Sequence, residues 1–165
     1  MTWKYGKRWV YSVTYDEGLA DLFKYAVPLH RRYGIPEHIS LVASQVGVPR
    51  NVPGSSFHGE MILSRAQIDE LIAEGWGASC HSMTHGRITP ETARYEVVES
   101  RKALEETLER EIRMFIVPGS NENYPAARAV AEEAGYTSIL TLWDAVNTPA
   151  TDLLRLHRTP LIEEH

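Results

Sequence analysis

The chain has 165 residues, 43% of them hydrophobic and 24% charged, with a formal net charge of −5 and a single cysteine, Cys80. That length suits one domain with a proper core, and the composition is that of an ordinary globular protein, which excludes the disordered, fibrous and membrane classes. The acidic balance and the lack of a dense Lys/Arg run argue against nucleic acid as a partner, and one cysteine permits no intrachain disulfide.

The opening "MTWKYGKRWVYSVTYDEG" carries charge and aromatics where a signal peptide needs an apolar run, and no later run reaches membrane-spanning length. The chain therefore reads as cytoplasmic as written, or secreted if trimmed from an exported protein.

Taken in order, "RWVYSVTY" (8–15) is β-branched and aromatic and reads as a strand, followed at once by Asp16, Glu17 and Gly18. Two adjacent carboxylates at a strand end repel, so each needs its own partner: water, a cation or a metal. "GLADLFKYAVPLHRRYG" places Leu19, Leu22, Phe23 and Ala26 on one helical face and puts Gly34 at the C-cap, although Pro28 interrupts its second half. "HISLVA" (38–43) is a short strand, and residues 44–61 form a Gly/Pro/Ser-rich loop containing Phe57 and His58. Ser64 and Gln67 have capping-box spacing before a helix closed by Gly75, and "WGASC" is a strand leading straight into "HSMTH".

Thr89 as N-cap and Pro90 at the first helical position predict a long helix to about Arg110, with Val97, Leu104 and Leu108 buried. "IRMFIV" (112–117) reads as a strand, "GSNENYP" as a loop, "AARAVAEEAG" as a helix, and "YTSILTLW" and "LLRLHRTPLI" as two last strands. Strands alternating with helices imply a largely parallel sheet or barrel with right-handed crossovers. The predicted fold is α/β: an irregular, incomplete (β/α) barrel of about six to seven strands, as a single domain over residues 1–165. A full eight-unit barrel needs about 250 residues, so an opening is expected; a partner over it, such as a second copy, is left open.

In such folds functional groups gather at the carboxyl ends of the strands. Asp16-Glu17, His81 and His85, the loop "PGSNEN", Trp143-Asp144 and His157 would share that rim. An H-x-x-x-H pair alone is either a metal site or two ordinary histidines; a carboxylate pair on the same rim favours the metal, since a first-row cation takes imidazoles plus carboxylate.

"TYDEG", "HSMTH" and "FIVPGSNEN", in this order at strand ends, resemble the polysaccharide deacetylase family, whose pattern is T-F-D-D-G, then H-[ST]-x-x-H, then a proline motif. The likeness runs from about Val10 to Trp143 and is most specific in HSMTH. It implies a metal-dependent hydrolase removing N-acetyl groups from an amino-sugar polymer or oligosaccharide. It also implies that Asp16 is the general base, that Glu17, His81 and His85 hold one divalent metal (zinc first; cobalt, nickel or manganese as alternatives), and that His157 is the general acid. The Gly119 backbone N–H would stabilise the oxyanion, and Pro118, Asn123 and Trp143 would contact an acetylated carbohydrate or a small amide.

Three departures stand out: Glu17 where the family has Asp, Ile116 where many members have an Arg that orients the base, and Gly119 where an aromatic is common. Plainer readings stay open beside these roles: a turn for "VPGSNEN", packing for Trp143, a half-buried strand histidine for His157 and a small buried thiol for Cys80. So do two other functions, hydrolysis of another C–N bond in a small cyclic amide or ureide, and a barrel that binds carbohydrate or a partner without catalysis.

Overall fold

The structure, a computed structural model, describes residues 6–161. Five parallel strands, β1 (Thr14–Tyr15), β2 (His38–Leu41), β3 (Gly77–Cys80), β4 (Met114–Ile116) and β5 (Ser138–Leu140), stand side by side in chain order. Helices α1 (Leu22–Tyr33), α2 (Arg65–Ala73), α3 (Ser100–Leu108) and α4 (Tyr124–Ala134) make the crossovers. An unreversed order of parallel strands curls into part of a (β/α) barrel, and no helix among the described residues is long and apolar enough to cross a membrane.

Local chemistry explains most elements. Gly34, with φ 64°, takes the left-handed C-cap of α1. At α2, Gln67 N–H donates to Ser64 Oγ while Ser64 N–H donates to Gln67 Oε1 at 2.9 Å, a reciprocal capping box. Ile39, Leu41, Ile68, Leu71, Leu104 and Phe115 are fully buried between sheet and helices; each such side chain contributes about 1.5–3 kcal/mol by leaving water.

Three expectations are corrected. The first strand is two residues, because its partner β2 begins at His38 in register with Thr14, so residues 8–13 have no ladder to join and Trp9 is 75% exposed. The strand expected at 153–162 is instead a turn, Leu153–Arg155, capped by Asp152, followed by a single parallel bridge from Leu156 to Leu140; residue 162 lies outside the described residues. The sheet thus has five strands, where six or seven were expected. Thirdly, the helix expected from Thr89 begins only at Ala93 and runs as a π-helix over Arg94–Glu99 before α3. This widened turn lets Glu96, 5% exposed, serve a neighbouring loop.

Candidate active site at the carboxyl rim

Asp16 and Glu17 leave β1 in a tight bend. Glu17 has φ 71° and Gly18 φ 73°, and a Cβ on Gly18 would lie 2.5 Å from Leu41 Cδ2, so only glycine fits there. The two carboxylates do find separate partners. Arg158 Nη1 donates to Asp16 Oδ1 at 2.6 Å and Nη2 to Oδ2 at 2.9 Å, while Arg50 Nε pairs with Glu17 Oε2. Desolvation pushes the Asp16 carboxyl up, but His81 and the Arg158 guanidinium outweigh it and hold it below the ordinary range.

His81 follows β3 directly, and its N–H extends the ladder to Leu41 O at 2.8 Å. Its Nδ1 lies 2.9 Å from Ile116 O. A carbonyl only accepts, so Nδ1 carries the proton and Nε2 presents a lone pair, 3.8 Å from Asp16 Oδ2. His85 Nε2 lies 3.5 Å from Glu17 Oε1, and the two imidazoles meet edge to face with centroids 5.0 Å apart. Burial pushes both imidazoles down, His85 to about 4, so both are neutral near pH 7.

The loop carrying them is strained and strapped. Ser82 and His85, like Glu17, adopt positive φ, so three of the four non-glycine residues in that region, among the described residues, belong to this site. Glu96 Oε2 accepts from Met83 N–H at 3.1 Å and Thr84 N–H at 3.0 Å, and Oε1 accepts from Thr84 Oγ1 at 2.6 Å. Gly86 leaves room for this, since a Cβ there would lie 2.9 Å from Thr84 Oγ1.

The remaining expected residues are spread more widely. Pro118 is buried and Gly119 exposed, with φ 67° and an N–H that meets no acceptor among the described residues. Asn123 is 8% exposed and spends its amide on the protein: Oδ1 accepts from Ile88 N–H at 2.8 Å and Nδ2 donates to Pro118 O at 2.9 Å. It holds the Pro118–Gly119 loop against the histidine loop. Trp143 packs edge-on to Tyr124 at 5.0 Å with the Arg155 guanidinium 4.5 Å over its ring. The His157 backbone is held by the Asn147 side chain, whose Nδ2 donates to His157 O and whose Oδ1 accepts from His157 N–H, both at 2.8 Å, and the His157 Nδ1 is buried without a partner. The residue of this segment that meets Asp16 is Arg158, the next in sequence.

The pairings of Arg50 with Glu17, of Arg158 with Asp16 and of Glu96 with the histidine loop were not assigned from the sequence; Ile116 left an orienting arginine to be supplied from elsewhere.

Among the described residues, no three His, Cys, Asp or Glu side chains stand together as a ready metal cage. Donor type and protonation nevertheless suit a divalent cation: two neutral imidazoles and a carboxylate. The 3.5 Å from His85 Nε2 to Glu17 Oε1 is near the separation of about 3.4 Å expected for two ligands of one tetrahedral ion. The other oxygen of Glu17 is paired with Arg50.

Comparison with known proteins shows the family. Residues 4–139 match the family profile described as polysaccharide deacetylase, and the chain belongs to that family. YxkH of Bacillus subtilis (strain 168), named for the same family, is 22% identical over 149 residues, covering 88% of this chain; the chain spans only 49% of that relative's length. IcaB from Ammonifex degensii superposes with a TM-score of 0.74 at 23% identity, over 92% of this chain and 67% of that one. The Streptococcus pyogenes deacetylase PplD, solved in complex with acetate, gives 0.75 at 19% identity, over 92% and 64%.

Proposed function

We propose that the chain is the catalytic core of a metal-dependent N-deacetylase acting on an amino-sugar polymer or oligosaccharide. The observation that carries this reading is the approach of Asp16 to His81 at the ends of β1 and β3, 3.8 Å between Oδ2 and Nε2, with both imidazoles neutral. His81, His85 and Glu17 would hold the cation, which when bound polarises the acetyl carbonyl and lowers the pKa of water.

The chain's own groups account for the protons. Asp16, kept ionised by Arg158, accepts a proton from the attacking water as the water oxygen bonds to the acetyl carbon. The Gly119 N–H is a donor for the carbonyl oxygen as it becomes negative. As the C–N bond breaks, the proton on Asp16 passes to the departing nitrogen, giving free amine and acetate; His157, with its unpartnered Nδ1 one residue from Arg158, is the second candidate for that delivery.

One observation favours a second reading, a barrel that binds carbohydrate without hydrolysing it: Arg50 already neutralises Glu17. Acetate release from N-acetylated chitooligosaccharides and small amides, after loading with zinc, cobalt or nickel, decides between them. Release by the wild type, lost in Asp16→Asn and His81→Ala, supports the deacetylase. Saccharide binding with no release from any substrate supports the second reading.

A further inference from the structure

Arg50 is the bulkiest fully buried side chain among the described residues, at 2% exposure. A guanidinium cannot lose its charge, and burying it is costly unless it is paired. Its carboxylate partner among the described residues is Glu17, an ionic contact between Nε and Oε2 without hydrogen-bond geometry, and both Nε and Nη1 are buried with no hydrogen-bond partner.

The side chain is delivered by a fixed base. Arg50 N–H donates to Glu60 O at 2.7 Å and Gly59 N–H to Arg50 O at 2.9 Å, beside an antiparallel bridge between Pro49 and Met61. Gln45, 4% exposed, ties this arm to the histidine loop: its Nε2 donates to Thr84 O at 3.2 Å and its Oε1 accepts from Asn51 N–H at 3.1 Å. The guanidinium is therefore held where one carboxylate oxygen faces it and the other faces His85.

Arg50 and Arg158 together balance Glu17 and Asp16, so the rim is already neutral before any divalent ion arrives. A cation entering between the imidazoles would take the Glu17 oxygen that faces His85, from a carboxylate whose charge Arg50 already balances through the other oxygen. We propose that Arg50 competes with the divalent metal for the charge of Glu17, so that loading the site works against the guanidinium. This rests on the metal-dependent reading above. It makes Arg50 a built-in brake on metal affinity, and the sign of its effect is diagnostic: a residue that only oriented Glu17 would weaken the metal when removed, whereas a competitor strengthens it.

The test is a titration of metal-stripped full chain with zinc or cobalt against a chromophoric chelator, for wild type, Arg50→Met, Arg50→Gln and His81→Ala. Competition predicts ~10- to 100-fold tighter binding in both Arg50 variants, and loss of binding in His81→Ala. Should Arg50→Met fail to fold by circular dichroism, Arg50→Gln, which keeps a donor for Glu17 without the charge, carries the comparison. Wild-type binding that His81→Ala abolishes but neither Arg50 variant tightens overturns the competition alone. No metal bound by any of the proteins overturns the metal-dependent reading and the competition with it.

Discussion

Asp16 is gripped through both carboxylate oxygens by Arg158, a residue 142 positions further along the chain. Arg158 Nη1 also donates to Thr14 Oγ1 at 2.9 Å, so the guanidinium spans the end of β1 and fixes the carboxylate's plane. Arg158→Met removes an influence that lowers the Asp16 pKa, so that pKa rises and the proposed base is protonated over a wider acidic range. The acidic limb of the pH–rate profile for acetate release is expected to move to higher pH, with kcat/KM down by ~10²-fold at its optimum. An arginine with a purely structural role would lower the rate without moving the limb.

His85 makes stability depend on pH with a definite sign. Its pKa falls from 6.5 to about 4 on folding, so below 6.5 the unfolded chain takes up a proton that the folded chain refuses. Stability is full above that pH, falls as pH drops from 6.5 towards 4, and levels off below. The total is about 3 kcal/mol. Urea unfolding between pH 7.5 and 4, in the presence of a chelator, measures it, and His85→Gln should flatten the curve over that window.

Glu96→Leu removes the side-chain acceptor of three bonds, and Thr84 N–H is left without one, whereas Met83 N–H keeps the Glu96 carbonyl at 3.2 Å. A buried N–H so orphaned costs about 1–3 kcal/mol, so the unfolding midpoint in denaturant should fall accordingly. Hydrogen exchange adds a local readout: the Thr84 amide should lose protection in excess of the global change.

Gly18→Ala places a Cβ in a left-handed backbone and against Leu41. The expected cost is about 2–4 kcal/mol in chemical denaturation, because both the conformation and the packing oppose it. Gly119→Ala is a useful contrast. A Cβ there would have Asn123 Nδ2 at 4.0 Å as its nearest neighbour, so only the positive φ resists it, at about 1 kcal/mol.

How far the sequence could be read depended on the distance over which each feature is decided. The Ser64–Gln67 box and the Gly34 cap are settled within a few residues, and both are seen where their spacing placed them. Asp16, Glu17, His81 and His85 sit at strand ends, and strand order alone brings them to one rim. The partners that tune them come from afar: Arg50 from the arm after β2, Glu96 from a π-helical turn, Arg158 from beyond β5. No spacing rule links such pairs. The first strand failed for a related reason, since the β-propensity of residues 8–13 counts for little where no neighbouring backbone lies alongside.

The long reach from Asp16 to Arg158 also sets an order of assembly. A ribosome adding about 5–20 residues per second needs roughly 7–28 s to make the 142 positions between them. All five strands and both histidines are made before Arg158, so the scaffold can gather around a carboxylate that still lacks its clamp. Of the rim residues named above, Arg158 is thus the last to be made, and it comes from outside the sheet.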